Sequence, residues 1–252
     1  MLAESSRHGE GGGRVGEFGM RLRPAPWSSS APRLTIVVTG LAHLTGGVVR
    51  RFARGQFVYL AGEPAHTVYL VQRGLVKTTL GSGRGDEMIL RICQPGDLFG
   101  ELSFCAPERR EQARAMEASA VVELPVHRLL SQLEQHPTAV GELLASICRN
   151  LGSSYAQTRS LAFDGTMERL VRALLALAQE HGTAGPHGVV LMHYIKQEEL
   201  AQMIAARREV VSGLLNRLRE RGLVDYRRRG PITVRKTLRD YLDSLRSRSH
   251  SR

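Results

Sequence analysis

The chain has 252 residues, 42% of them hydrophobic and 23% charged, a globular composition that excludes a wholly disordered protein and has room for two modest cores. Lys and Arg number 35 against 24 Asp and Glu, and residues 164–252 hold 17 and 10 of these, so +7 of the net +11 sits in the last third, as suits a domain that meets phosphates. No apolar run approaches the ~20 residues that cross a bilayer, and the N-terminal stretch lacks the apolar region of a secretory leader, so a cytoplasmic protein with no membrane partner is expected.

Residues 1–33 read as a flexible tail, since Gly11-Gly12-Gly13 and Ser28-Ser29-Ser30 cannot support a core. From 34 to 136 short apolar segments recur, among them Phe57–Leu60, Val68–Val71, Leu75–Leu80, Met88–Ile92 and Ala120–Leu124. Gly62-Glu63-Pro64, Arg73-Gly74 and Pro95-Gly96-Asp97 punctuate them. Short strands with such turns predict an antiparallel β-sandwich or barrel. Over 137–163 the period becomes helical. Val140, Leu144, Ile147, Leu151, Ser154, Thr158 and Leu161 form a heptad seam, which asks for a partner helix and predicts a homodimer; the alternative is a helix packed on its own β-domain. Asp164-Gly165-Thr166 is a hinge candidate, and 164–246 a second domain. Within it we expect a helix over Met167–His181, a loop over Gly182–Gly188, a short strand over Val189–Met192, two more helices, and a hairpin at Gly230-Pro231.

The stretch Lys196–Val224 carries the sharpest chemistry. Leu200, Met203 and Ile204 give one helix an inner face; Val211, Leu214, Leu215 and Leu218 do the same for the next, with Ala205-Ala206 as the turn between them. That is the form of a helix-turn-helix. On the second helix Arg208, Glu209, Ser212 and Asn216 share one polar face, with Arg207 at its start. A major groove offers guanine acceptors to Arg and cytosine N4 donors to Glu, so double-stranded DNA is the expected partner. A solvated face on an ordinary helical hairpin is the plainer reading. Arg227-Arg228-Arg229 before Gly230-Pro231 would set cations, Arg228 among them, on a β-wing beside the backbone.

These motifs (Gln197-Glu-Glu-Leu-Ala-Gln202, Arg208-Glu209 followed by Val211-Ser212, and Leu218-x-x-Arg221-Gly-Leu-Val224) resemble the winged helix-turn-helix of the CRP/FNR family of transcriptional regulators. The resemblance extends over roughly 45–240. It implies an α+β protein: an N-terminal antiparallel β jelly roll of the cyclic-nucleotide-binding type, a long dimerisation helix and a C-terminal winged helix-turn-helix. It implies that Arg208 and Glu209 read bases, and that RNA polymerase is recruited or blocked. Where the family commonly has a further Arg this chain has Gly213, so the usual half-site does not carry over.

The resemblance also assigns an effector site. Gly100, Glu101 and Leu102 match the turn that holds phosphate and ribose, Arg109 and Arg110 the phosphate cradle, and Ser154 and Tyr155 the dimer-helix positions that touch the base. The effector it implies is a cyclic nucleotide: cyclic AMP, cyclic GMP or cyclic di-GMP. Against it, the cradle loop is one residue short, and Glu108 and Glu111 bring negative charge toward an anionic ligand. An effector-independent regulator therefore stays open, as does a ligand-binding module that docks an acidic protein. Cys93, Cys105 and Cys148 are too few and too scattered for a zinc site or an iron–sulfur cluster. No catalytic constellation is present, so no enzyme and no metal are expected.

Overall fold

The computed structural model describes residues 47–83, 85–191, 195–226 and 230–249, all of them within one compact unit. The expected tail and Arg227–Arg229 lie outside the described residues. Eight strands come first: β1 (Val48–Phe52), β2 (Phe57–Tyr59), β3 (Thr67–Arg73), β4 (Val76–Gly81), β5 (Glu87–Cys93), β6 (Leu98–Phe99), β7 (Gln112–Ala115) and β8 (Ser119–Pro125). They form two antiparallel four-stranded sheets, ordered β1-β8-β3-β6 and β2-β7-β4-β5, the sandwich that the turn spacing predicted and the jelly roll that the resemblance implied.

The unbroken apolar run of β3 has a plain cause, since its sheet is covered on both faces. Tyr69 and Val71 point between the sheets and meet Tyr59, Val76, Phe99 and Val121. Val68 points the other way, onto Leu129, Leu133 and Leu143 of two helices. Those helices are α1 (Val126–Gln135), which had no forecast, and α2 (Pro137–Phe163), with proline in its first turn where a missing N–H costs nothing.

The heptad seam needs a correction. Ala139 and Leu143 are buried against the β-roll, and Ile147 and Leu161 are half-buried on the protomer itself. The seam's Val140, Leu144, Leu151, Ser154 and Thr158 stay exposed, and Cys148 and Tyr155 join them in one exposed line. Helix α2 has two apolar faces, and the β-roll takes one of them. Gln157 Nε2 also donates to Ile89 O at 2.9 Å, tying α2 to β5.

After Asp164 the chain turns into α3 (Thr166–His181). The turn is braced: Ser160 Oγ donates to Asp164 Oδ2 at 2.8 Å, and Arg172 pairs with Asp164 at 2.7 Å and Glu168 at 2.6 Å. Then follow β9 (Gly182–Gly185), β10 (Gly188–Leu191), α4 (Gln197–Met203), α5 (Arg208–Glu220), β11 (Val224–Tyr226), β12 (Ile232–Val234) and α6 (Leu238–Ser249). The strands pair in the order β11-β12-β10-β9. The expected loop over Gly182–Gly188 is thus a strand and a turn, because pairing of Gly182–Gly185 with β10 outweighs weak local preference. A core of Leu170, Leu174, Leu200, Val211, Leu215, Leu218 and Leu238 unites this domain, and Leu75, Ile89 and Ile92 of the β-roll join the same cluster. No helix among the described residues is long and apolar enough to cross a membrane.

Candidate nucleic-acid interface and effector pocket

Helix α4 begins at Lys196, whose backbone N–H donates to the Glu199 carboxylate at 2.9 Å, satisfying an end donor that the helix itself cannot. It ends in a sharp reversal in which Ala205 takes φ +48°, a rare conformation for a residue with a Cβ. Arg207 stands immediately before α5 in an extended conformation. Because Val211, Leu214, Leu215 and Leu218 are held in the core, the opposite face is fixed. Arg207, Arg208 and Glu209 are placed at its start, Arg208 and Glu209 exposed and Arg207 open to solvent beside them, while Ser212 and Asn216 are half-buried. Gly213 is exposed as well, and a Cβ added to it would meet nothing within 4 Å. The surface thus holds an arginine and a carboxylate side by side at a helix start, the donor and acceptor that base edges require.

Two contacts around this face had no sequence signal. The Tyr226 hydroxyl, on β11, donates to Asn216 Oδ1 at 2.9 Å. On the other side, α4 is fastened to the β-roll: Lys77 Nζ donates to Gln202 Oε1 at 2.8 Å, and Gln202 Nε2 to Glu87 Oε2 at 3.1 Å. Burial pushes the Lys77 ammonium below its ordinary value, and Glu199 and Glu87 oppose that shift. A cleft of about 780 Å³ separates the β4–β5 hairpin from the start of α5, with Asp86 and Glu87 on one wall and Arg207, Arg208 and Glu209 on the other. Pairs so far apart in sequence leave no local pattern.

The effector residues the resemblance assigns lie as follows. Gly100 takes φ +77°, a conformation that favours glycine, and a Cβ there would stand 2.8 Å from Arg109 Nη1, so the guanidinium would have to shift. Arg109 is only 4% exposed. Its Nη1 donates to Gly100 O at 3.2 Å, and its Nη2 to Thr67 O at 2.6 Å and Thr67 Oγ1 at 2.9 Å. Its guanidinium lies 4.2 Å from the Tyr59 ring centroid. The rings of Tyr59, Tyr69 and Phe99 stack on one another at 5.2–6.2 Å. Buried Glu111 accepts the Tyr59 hydroxyl at 2.9 Å, and burial together with that carboxylate holds the phenol well above its ordinary pKa.

Glu101 turns away from this interior. Its carboxylate accepts Asn150 Nδ2 of α2 at 2.9 Å and lies 3.7 Å from Arg91. Arg110 and Leu102 are exposed. Ser154 and Tyr155 are on the outer side of α2, with Ser154 Oγ bonded back to Asn150 O. Thus Arg109 is bonded to Gly100, Glu101 is bonded to α2 one turn before Ser154, and Arg110, Ser154 and Tyr155 are exposed. The cradle arginine is partly committed: Nη1 and Nη2 donate to Gly100 and Thr67, whereas its Nε and Glu111 Oε2 are buried without a partner, and a buried carboxylate shares its pocket. Among the described residues no cluster of three His, Cys, Asp or Glu could hold a metal ion.

The cyclic nucleotide-binding domain model matches residues 49–136, and the Crp-like helix-turn-helix domain model matches 168–241. The CRP-like cAMP-activated global transcriptional regulator of Mycobacterium tuberculosis is 32% identical over 174 residues, 69% of this chain and 78% of that protein. The cyclic AMP receptor protein of Thermus thermophilus is 31% identical over 189 residues, 73% of this chain and 82% of that one. Among solved structures, the c-di-GMP responsive global regulator CLP of Xanthomonas campestris superposes with a TM-score of 0.68 at 25% identity, over 80% of this chain and 99% of that chain.

Proposed function

The chain belongs to the CRP/FNR family of DNA-binding transcription regulators, which are not enzymes, and from that premise we propose that it acts as a cytoplasmic homodimer on an inverted-repeat site. The observation that carries this is the exposed Arg208–Glu209 pair, held outward by the buried face of α5. Two protomers joined along the free line of α2 would present two such helices to successive major grooves, about one helical turn or ~34 Å apart. Arg207, Ser212 and Arg228 are assigned to the same interface, Arg207 and Arg228 on phosphates and Ser212 on a base edge. Bound there, the dimer would recruit or block RNA polymerase.

Regulation without a cyclic nucleotide is the reading the β-roll supports. The relatives from M. tuberculosis and X. campestris are named for cyclic AMP and cyclic di-GMP, but here Arg109 Nη1 and Nη2 are already given to Gly100 and Thr67, with only its Nε left over. Selection from random duplexes tests the DNA assignment, with an enriched inverted repeat as the expected result. A featureless pool would favour docking onto an acidic protein. Repeating the selection with cyclic AMP, cyclic GMP and cyclic di-GMP tests the regulation: unchanged enrichment is expected, and a nucleotide-dependent repeat would restore the effector site.

A further inference from the structure

Asn216 lies eight residues after Arg208 on the polar face of α5, roughly 12 Å further along the helix axis at ~1.5 Å per residue, where a helix laid in the major groove meets a different base pair from the one beneath Arg208. A free asparagine amide offers an acceptor and a donor side by side, and that pair matches the N6 donor and N7 acceptor of adenine. Here the amide is not free. Its Oδ1 accepts the Tyr226 hydroxyl at 2.9 Å, and Arg219, itself on α5, lies over the Tyr226 ring at 5.3 Å. The tyrosine is therefore held by two side chains of the recognition helix. With Oδ1 so engaged, the two Nδ2 hydrogens are left for another acceptor.

Resting on the reading of α5 as the DNA-facing helix, we propose that Tyr226 is a positioning residue for base readout. It takes one of the two lone pairs of Asn216 Oδ1 and leaves both Nδ2 hydrogens, so the base favoured opposite Asn216 is one with an acceptor edge, guanine through O6 and N7 or thymine through O4. Adenine loses part of its advantage because one of the two acceptor positions of the amide oxygen is engaged. Cytosine, whose major-groove group is only a donor, is the least favoured. The wing strand thereby sets a base preference at a position that it does not itself reach.

The test is duplex selection with the full-length wild type, Tyr226→Phe and Asn216→Ala, each checked for native circular dichroism. The position that Asn216→Ala flattens identifies the base pair concerned. There the wild type should show guanine or thymine. Tyr226→Phe should admit adenine, raising it roughly three- to tenfold relative to the wild type, the scale of one hydrogen bond. Cytosine in the wild type at that position would overturn the proposal. So would a Tyr226→Phe protein that loses affinity equally for all duplexes and keeps its preference, because that is the signature of a merely structural wing contact. If Asn216→Ala flattens no position while the repeat persists, Asn216 does not read DNA and the proposal fails. If the wild type enriches no repeat at all, the DNA-binding assignment itself falls, a result distinct from the other three.

Discussion

Replacing Leu144 and Leu151 together with alanine should separate the dimer without unfolding the protomer. Each change removes about three carbon groups, worth ~0.8 kcal/mol apiece when fully buried. In the protomer Leu144 is 56% and Leu151 48% exposed, so about half of that value is left for a partner to supply, roughly 1.2 kcal/mol per leucine by the same scale. With two leucines on each of two subunits, the loss is about 5 kcal/mol, a dimer dissociation constant weakened on the order of a thousandfold or more. Sedimentation equilibrium across nanomolar to micromolar protein measures it directly, and far-ultraviolet circular dichroism checks that α2 persists. A dissociation constant within tenfold of wild type would refute the assignment of this line as the subunit contact. Partial unfolding of the variant would show instead that the leucines stabilise the protomer.

Arg208→Ala should cost about 1–3 kcal/mol of DNA affinity and relax one base position in the selected site; an equal loss on every duplex would place Arg208 on phosphate. Arg109→Ala should lower stability to urea by about 1–3 kcal/mol, since it strips donors from the buried Thr67 and Gly100 carbonyls, and an unchanged urea midpoint would return Arg109 to a free cradle. Burial pushes the Cys93 thiol up to about 11 despite the nearby Arg91, while Cys105 and Cys148 are exposed. Titration of the monomeric Leu144/Leu151 variant at pH 8 with an aromatic disulfide reagent should therefore release two equivalents promptly and the third only on unfolding. Because the unfolded thiol ionises near 9 while the folded one keeps its proton, the Cys93 contribution is present below pH 9 and is lost as pH rises toward 11; a stability that increased over that range would contradict the burial.

What could be read in advance follows from range. The bounds of α2, the buried faces of α4 and α5, and the strand-and-turn rhythm of the β-roll are all local periodicities, and each was legible. Which face of α2 the β-roll takes was not. Both faces of that helix are apolar, and nothing in the sequence says that the β-roll claims Ile147 and leaves Cys148 and Tyr155 outside. Helix α6 was missed because Leu238 and Leu242 are a sparse stripe among charges, and β9 because glycine conceals a strand. Matching motifs located Arg109 correctly beside Gly100 but could not tell where its guanidinium is spent. That depends on Thr67, 42 residues away. The Asn216–Tyr226 and Lys77–Gln202–Glu87 contacts are hidden for the same reason.

Methylation interference on a selected duplex bears most directly on how α5 meets DNA. Methyl groups on guanine N7 stand in the major groove, so two clusters of interference centred about 10 base pairs apart on one face are expected, each weakened at one guanine when Arg208 is replaced by alanine. Interference spread evenly along the duplex, or confined to adenine N3 in the minor groove, would contradict the account.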